Sequence, residues 1–367
     1  MRLRRSLAVL AAIVVAFALG YATRRGGERP RPVAASPQSV LADAVRQVLS
    51  DRYVHPLDPN ALASARTVPQ LIAELGDPFS SYLTAAQYQA LKADTQPGYY
   101  GVGVRVRAKG AAVMIVGVVP HSPAAKAGLR KGDRLLTVDG VGVRGHIDTA
   151  LAALQAPHRG PLKLVMRRKG GHAHVVTVRR GIVRQSAVIV RNISHGVRVI
   201  HITRFSAGVA AQVRKAARHA KVVVLDLRGN PGGLIDEAIH TVDVFLATGR
   251  IVSYSGAHTP SHTIIATKSA LPRMPLVVVV DRATASAAEI VAAALSENKR
   301  AKVVGTRTFG KASIQAVVPV PGGGAVKLTV ATYLTPNGLD IHGHGIRPDV
   351  QAHTRLLVRA VEVARSL

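Results

Sequence analysis

A run of four valines, Val277 to Val280, constrains the fold of this chain more than any other feature. It lacks the alternation of a strand with one face in water, so it predicts a parallel strand buried on both faces. An Ala-rich helical stretch, "SAAEIVAAALSENK", follows it closely. Apolar strands and helical stretches alternate in the same way from Ile182 onward, as in "KVVVLDL" followed by "GLIDEAIHTVDVFLATG". These patterns predict an α/β core with a largely parallel sheet and right-handed crossovers.

Two further regions precede this core. The 367 residues, 48% of them hydrophobic, are enough for a globular protein of two or three domains. Apolar residues recur at helical spacing in 38–97, which predicts a small N-terminal helical domain. In 98–180 short strands joined by glycine turns predict an α+β unit. We therefore expect a multidomain α/β protein whose core domain spans 181–367.

The amino terminus has a basic cluster, an apolar run from Leu7 to Ala22 and then a return to arginine and proline. This order is typical of a secretory signal or a short membrane anchor. The run is shorter than the roughly 20 residues that a membrane-spanning helix needs. We predict that residues 1–25 are an export signal or membrane anchor and that 26–37 are a linker. Most of the chain would then lie outside the cytoplasm, secreted or anchored to the cell membrane.

The formal net charge of +29 favours contact with anionic surfaces. The basic residues are nevertheless spread in short pairs, and only 4% of residues are aromatic, so base stacking has little support. We expect a strongly basic surface with nonspecific attraction to polyanions and no specific nucleic-acid partner. The chain has no cysteine, and its histidine pairs lack a third ligand in the pattern, so neither a metal nor a cofactor is predicted.

Ser286 stands at the junction between the valine strand and the Ala-rich helix. With Glu289 it satisfies the S-x-x-E capping box, and by this window alone a helix cap is the favoured interpretation. A hydroxyl at the carboxyl end of a parallel strand also lies where α/β proteins place their sites. The window therefore leaves two interpretations, a cap and a nucleophile.

Two other stretches add candidate groups. "RGNPGG", Arg228 to Gly233, joins a buried strand to a helix and predicts a turn whose amides suit an oxyanion or a phosphate. It lacks the Gly-Lys-Ser/Thr of a nucleotide-binding loop. "GTRTFGKASIQ" places Lys311 in an apolar loop soon after Ser286. Desolvation there could lower the lysine pKa enough for it to accept a proton, although a solvated lysine is the commoner case.

Taken together and in order, these three stretches resemble the carboxyl-terminal processing peptidases, serine endopeptidases of the tail-specific protease family. The segments "YYGVGVRV" and "GLRKGDRLLTVDG" look like their embedded PDZ domain, and "LGDPFSSYL" and "IRPD" are also similar. The resemblance covers roughly Leu41 to Val350. It implies a helical N-terminal domain, a PDZ domain and an α/β protease core.

The resemblance also implies roles for single residues. Ser286 would be the nucleophile, Lys311 the general base and Gln315 the group that positions the lysine. The oxyanion hole would be formed by the Ala287 amide and one amide from the glycine pair, Gly232 or Gly233. In the PDZ-like unit, the carboxylate-binding loop would consist of Gly101, Val102, Gly103 and Val104.

Two positions depart from the family pattern. Ala288 replaces a frequent second serine, which should matter little. Ala312 replaces the usual glycine after the lysine, which would cost about 1 kcal/mol if that position needs a positive φ.

The sequence therefore predicts an exported serine endopeptidase. It would bind protein or peptide substrates with apolar C-termini through its PDZ domain and cleave them with a Ser/Lys dyad through an acyl-enzyme. Two alternatives remain, a catalytically silent PDZ adaptor on the same scaffold and a basic polyanion-binding protein. Neither the oligomeric state nor the physiological substrate follows from the sequence.

Overall fold

A computed structural model describes residues 36–367, except 97, 156–159, 169, 185 and 194–195. The predicted export segment 1–25 lies outside the described residues, as does the linker 26–37 apart from its last two positions. In the part of the chain that the structure describes, no helix has both the length and the apolar character needed to cross a membrane.

The described residues form a multidomain α/β structure, as predicted. Its helices are α1 (Pro37–Arg52), α2 (Pro59–Ser64), α3 (Val68–Ala73), α4 (Ala85–Thr95), α5 (Pro123–Lys126), α6 (Ile147–Gln155), α7 (Val209–Ala217), α8 (Ile235–Asp243), α9 (Ala287–Glu297) and α10 (Leu356–Arg365). Its strands are β1 (Ser81–Leu83), β2 (Gly98–Gly101), β3 (Val104–Lys109), β4 (Ala112–Val118), β5 (Arg134–Val138), β6 (Val141–Gly142), β7 (Leu162–Arg167), β8 (Ala173–Val178), β9 (Gly181–Arg184), β10 (Val188–Asn192), β11 (Val197–Ile202), β12 (Val222–Asp226), β13 (Arg250–Gly256), β14 (Thr259–Ile265), β15 (Leu276–Val280), β16 (Lys302–Gly305), β17 (Ser313–Pro319), β18 (Ala325–Leu334) and β19 (Val350–Gln351).

The central sheet has six strands in the order β10-β11-β12-β15-β16-β19, and only β10 runs antiparallel to its neighbour. The valine run forms β15, at the middle of this sheet, and is fully buried. Val278 and Val280 pack in the core beneath α7, α8 and α9, while Val277 and Val279 pack against α10. Helices thus cover both faces, which explains why the strand needs no polar alternation.

A second, antiparallel sheet was not predicted. Its strands run β1-β18-β13-β14, and β17 pairs with β18 as well. Strand β18 is ten residues long and brings the N-terminal segment and the C-terminal third of the chain together. The residues of β1 were predicted to belong to the helical domain 38–97, and those of β13, β14, β17 and β18 to the core 181–367 without separation from the parallel sheet.

The N-terminal helices begin at recognisable caps. Thr67 and Gln70 form a capping box at α3, and Thr84 and Gln87 form another at α4. Each pair satisfies backbone N–H groups that the first helical turn leaves without partners. Val45 and Leu49 of α1 and Leu71 of α3 are buried in one core together with Val326 and Leu328 of β18.

The α+β unit is a six-stranded antiparallel sheet with two helices. Its strand order is β3-β4-β5-β7-β8, with β6 paired to β5, and α5 and α6 belong to the same unit. Its own apolar core includes Ile115, Leu135, Leu164 and Met166. The chain enters the unit along β2 and leaves along β9, and these two strands pair with each other.

Candidate active site

Ser286 immediately precedes α9 at the carboxyl end of β15. Its backbone has φ 57° and ψ −122°, a conformation that non-glycine residues rarely adopt. Such strain costs about 1–3 kcal/mol and persists only where the surroundings impose it. The Ser286 side chain is partly exposed, whereas Ala285 and Ala287 on either side of it are buried. The strained turn therefore presents one hydroxyl at the carboxyl end of the parallel strands.

Glu289 joins the start of α9 to the lysine loop. Its side chain is fully buried and accepts a hydrogen bond from the Ser286 N–H at 2.8 Å. It also accepts from the Thr308 hydroxyl at 2.5 Å, from the Gly310 N–H at 2.8 Å and from the Lys311 N–H at 2.9 Å. A buried carboxylate is stable only when it is hydrogen-bonded in this way. The capping carboxylate therefore also fixes the loop that carries the lysine.

Tyr333, on β18, connects the same two segments a second time. Its hydroxyl lies 3.2 Å from the carbonyl oxygen of Ser286 and 2.9 Å from that of Lys311. Burial raises its pKa well above the ordinary value, with Glu289 adding to the shift. The hydroxyl therefore keeps its proton at neutral and alkaline pH and can donate it to either carbonyl.

The Lys311 side chain is half-buried and points into a small group of polar and aromatic neighbours. Its Nζ donates a hydrogen bond to Gln315 Oε1, on β17. The same atom lies 4.8 Å from the centroid of the Phe79 ring. The ring limits access of water to the amine, and the amide holds the amine in one position.

Burial lowers the pKa of Lys311 from its ordinary value of 10.5 to about 8, and the positive charge of Lys327 acts in the same direction. Asp77 and Glu289, both negative, oppose the shift. An amine with a pKa of about 8 is partly neutral near physiological pH, so it can accept a proton. Of the two states that the sequence left open for Lys311, solvated or desolvated, the structure has the desolvated one.

The glycine turn lies directly against Ser286. Its Asn230 side chain is fully buried and donates to the Ile202 carbonyl at 2.9 Å, while its oxygen accepts from the Gly232 N–H at 2.8 Å. A Cβ on Gly232 would lie 3.0 Å from the Ser286 Cβ and 3.0 Å from the Ala287 nitrogen. Only glycine permits such a close approach at this positive φ.

The two glycine amides of this turn differ in their partners. The Gly232 N–H is used by Asn230. Among the described residues, neither the Gly233 N–H nor the Ala287 N–H has a hydrogen-bond acceptor. Of these two amides without a partner, one belongs to the residue after Ser286 and the other to the glycine turn that packs against it.

The four residues of the predicted carboxylate-binding loop lie in the α+β unit. Gly101 ends β2 and Val104 begins β3, with Val102 and Gly103 between the strands. The carbonyl of Val102 accepts from Ala124 N and that of Gly103 from Val119 N, both at 2.8 Å. β3 is at one end of the strand order, so its outer edge is unpaired among the described residues.

Glu289 and Tyr333 thus link the Ser286 turn to the Lys311 loop, Gly232 packs against Ser286, and the PDZ-loop residues lie in their own unit. Sequence reasoning missed Asp77, Asn230, Thr329 and Tyr333, which all hydrogen-bond within or next to the site. Asp77 lies in the "LGDPFSSYL" segment, which was noted for its similarity to the family, without a role for the aspartate. No local pattern marks Thr329 or Tyr333, because their positions depend on the pairing of β18 with β17.

Ala312 does not have the positive φ that would make alanine costly after the lysine. It is fully buried, and its carbonyl accepts from the Tyr333 N–H at 2.9 Å. The departure at this position therefore does not displace Lys311. The two histidine pairs, His172 with His174 and His342 with His344, are exposed, and no group of three possible metal ligands occurs among the described residues.

Family models match two parts of the chain. The model of peptidase family S41 matches residues 196–352, and a PDZ domain model matches 114–168. The chain is therefore a serine-type peptidase with a PDZ domain.

The relatives specify the family further. The chain is 32% identical to the carboxy-terminal processing protease CtpA of Bacillus subtilis, over 94% of this chain and 75% of that protein. It is 33% identical to the carboxy-terminal-processing protease of Bartonella bacilliformis, over 75% of this chain and 66% of that protein. It spans 64% of a probable CtpA-like serine protease of Staphylococcus aureus at 30% identity. The chain belongs to the family of carboxy-terminal processing proteases.

Solved structures share the fold. A photosystem II D1 C-terminal processing protease superposes with a TM-score of 0.56 at 27% identity, covering 90% of this chain and 97% of that one. A lipoprotein from Streptococcus agalactiae superposes with a TM-score of 0.55 at 12% identity, covering 92% and 99% of the two chains, and shows the likeness of the fold alone. The expected architecture is confirmed.

Proposed function

We propose that the protein is an exported endopeptidase that cleaves protein substrates with a Ser286–Lys311 dyad after capturing their C-terminal tails. The observation that carries this proposal is the state of Lys311. Its amine is desolvated, its pKa is lowered to about 8, and its loop is tied to the Ser286 turn through Glu289. A lysine whose only role was to make the surface soluble would be exposed, because burial of its charge costs free energy.

The chemistry follows from these groups. The Ser286 Oγ attacks the scissile carbonyl carbon while Lys311 Nζ, in its neutral form, accepts the hydroxyl proton. The resulting ammonium then donates that proton to the leaving amine as the C–N bond breaks, which leaves an ester between Ser286 and the acyl fragment. Water next attacks the ester carbonyl carbon and gives a proton to Lys311. The resulting ammonium returns that proton to Ser286 Oγ as the ester C–O bond breaks, which releases the acid and restores both groups. Apart from this water, the substrate and the two side chains account for every proton.

We infer that the oxyanion hole consists of the Ala287 and Gly233 amides. Both N–H groups lie beside the serine and have no acceptor among the described residues, and Gly232 is already used by Asn230. Amides positioned in advance stabilise the oxyanion without reorganising, and the loss of one such donor typically costs 100- to 1000-fold in rate.

The α+β unit would capture the substrate tail. Gly101 to Val104 would supply amides for the terminal carboxylate, and the tail would add as a strand to the free edge of β3. Gly103 has φ 87°, and a Cβ there would lie 2.3 Å from that of Ser122, so the loop needs glycine to pack against α5. We also propose that the substrate tail is apolar, that the protein is exported, and that residues 1–25 direct its export or attach it to the membrane.

The test is cleavage of an unstructured protein with an apolar C-terminus by the full chain purified in detergent. We expect Ser286→Ala and Lys311→Ala each to lower kcat at least 1000-fold, while Lys302→Ala, an exposed lysine paired with Asp349, leaves it unchanged. A serine-directed covalent probe should label the unmodified chain and lose most of its labelling in Lys311→Ala. Amidation of the substrate C-terminus should raise KM with little effect on kcat.

Tail binding without cleavage would leave a PDZ adaptor. Cleavage that survives in Lys311→Ala would exclude this lysine as the base. Retention on a polyanion without any peptide cleavage would favour the polyanion-binding alternative.

A further inference from the structure

We propose that Asp77 is a positioning residue for the catalytic base, acting on Lys311 through Thr329 and Gln315. The inference rests on the proposed role of Lys311 as the base. It assigns a part in the reaction to the N-terminal segment, which precedes both the PDZ unit and the protease core in the chain.

A continuous set of hydrogen bonds connects these residues. Lys311 Nζ donates to Gln315 Oε1, and Gln315 Nε2 donates to the Thr329 hydroxyl at 3.2 Å and to the Ser313 hydroxyl at 2.9 Å. The Thr329 hydroxyl in turn donates to Asp77 Oδ2 at 2.5 Å. Gln315 is on β17 and Thr329 is its register partner on β18, so the sheet pairing holds the middle of this set.

The directions of these bonds follow from the acceptor at the end. An ionised carboxylate only accepts, so the single proton of the Thr329 hydroxyl must point to Asp77. The lone pairs of Thr329 then face Gln315 and require a donor, which is the amide nitrogen of Gln315. The amide oxygen must therefore point to Lys311. Asp77 thus selects one of the two orientations of the glutamine amide.

Asp77 is itself fixed and kept ionised. Its Oδ1 accepts from the Phe79 N–H at 2.8 Å, and its Oδ2 accepts from the Ser80 hydroxyl as well as from Thr329. Burial opposes its ionisation, but these hydrogen bonds outweigh burial and lower its pKa. Ser80 Oγ also accepts from the Thr329 N–H at 3.0 Å, which ties the segment to β18.

The carboxylate acts on Lys311 through its charge as well. The charged groups facing the lysine are Lys327 on β18, Glu289 on α9 and Asp77 itself, and both carboxylates favour the ammonium form. Removal of the Asp77 charge should therefore lower the pKa of Lys311 further. On the acid limb of the pH–rate profile, kcat rises with pH as the Lys311 ammonium loses its proton. This limb would then move to lower pH.

A purely structural role would have a different signature. Asp77 and Ser80 also hold the N-terminal segment on β18, so any substitution there can lower stability. A loss of stability reduces the amount of folded enzyme or its thermal midpoint, but it leaves the pH midpoint of the folded enzyme where it was. The pH profile therefore separates the two roles.

The experiment measures kcat from pH 6 to 10 with the full chain, for Asp77→Asn, Thr329→Val and Thr329→Ser. Asp243→Asn, which removes a buried carboxylate of α8, and Thr241→Val, which removes a buried hydroxyl of the same helix, are the matched controls. We expect a loss of about tenfold to 100-fold in the plateau rate for Asp77→Asn and Thr329→Val. Thr329→Ser should restore most of the rate, and the controls should stay within about twofold.

The pH midpoints give the second readout. In Asp77→Asn the acid limb should move to lower pH, whereas in Thr329→Val, which keeps the carboxylate, it should stay near the unmodified position. A reduced rate with an unmoved limb in Asp77→Asn would overturn the positioning role, as would rates equal to those of the controls. If Asp77→Asn does not fold, a rate in Thr329→Val equal to that in Thr241→Val overturns it. Cleavage that survives Lys311→Ala would instead refute the proposed dyad.

Discussion

The two halves of the site are held in place by different means. The serine half depends mainly on backbone conformation, since Ser286 takes a strained φ of 57° and Gly232 leaves no room for a side chain beside it, while Glu289 and Tyr333 add hydrogen bonds to the Ser286 main chain. The lysine half is fixed by side chains, because Lys311 depends on Gln315, Glu289 and the more distant Thr329.

This difference determines how each half can fail. A backbone-built half has few alternatives, since one added carbon atom clashes with main-chain atoms that cannot move cheaply. A half built from side-chain hydrogen bonds loses one contact at a time and retains the others. Substitutions in the glycine turn should therefore have the largest effects, and substitutions around the lysine should have graded ones.

The largest effect on stability is expected for Gly233→Ala. Gly233 has φ 142°, and its Cβ would lie 2.1 Å from the Phe205 carbonyl oxygen. The strain and the clash together should lower the free energy of unfolding by roughly 3 kcal/mol. They should also displace the proposed oxyanion amide, with a loss of kcat of about 100-fold or more. Thermal unfolding and peptide cleavage measure the two effects.

Gly229→Ala is the matched control within the same turn. Gly229 has a positive φ of 68°, but a Cβ there would have nothing within 4 Å. Only the left-handed conformation then costs free energy, about 1 kcal/mol, and kcat should stay close to that of the unmodified chain. Equal losses of activity in the two variants would contradict the backbone explanation of the serine half.

The same division decides how much could be predicted from the sequence. Some features are local, because a buried strand, a turn and a helix follow one another in the chain. These are the parallel sheet, the glycine turn and the position of Ser286 after the carboxyl end of β15. The apolar loop made Lys311 a candidate base, and the family resemblance then supplied the roles of Lys311 and Gln315. Thr329 and Asp77 could not be found this way, because their contact joins residues 252 positions apart and depends on the unpredicted antiparallel sheet.

Glu289 shows the limit of local reasoning in one residue. The S-x-x-E pattern predicted its contact with the Ser286 N–H, and that contact is present. Its bonds to the Gly310 and Lys311 amides follow only from the way the loop after β16 folds back over α9. A capping pattern specifies the partner on its own helix and gives no information about a second segment.

An intermediate effect on stability is expected for Lys311→Met, which replaces the half-buried amine by an apolar chain of similar length. The pKa of Lys311 in the folded chain is about 8, below its ordinary value of 10.5, so folding opposes the charged form. Below about pH 8 the full cost of burying the charge is present. The variant should therefore be inactive but more stable at pH 7 by about 2 kcal/mol, discounted for the partial exposure of the side chain.

The sign of this gain can be checked by pH. As pH rises through about 8 toward 10.5, folded Lys311 becomes neutral before the unfolded chain does, and the stability of the unmodified chain rises. The difference in unfolding free energy between Lys311→Met and the unmodified chain should therefore shrink over this range. A difference that is constant with pH would show that Lys311 is not buried at a cost.

The smallest effect is expected for Ala312→Gly, which restores the residue usual in the family after the lysine. Since Ala312 has no positive φ and its methyl group is fully buried, glycine relieves no strain and adds backbone freedom. The free energy of unfolding should fall by about 1 kcal/mol, with kcat changed less than about twofold. An increase in kcat of tenfold or more, measured on the same peptide substrate, would mean that alanine does misplace Lys311. The lysine half would then depend on its backbone as well, and the contrast between the two halves would fail.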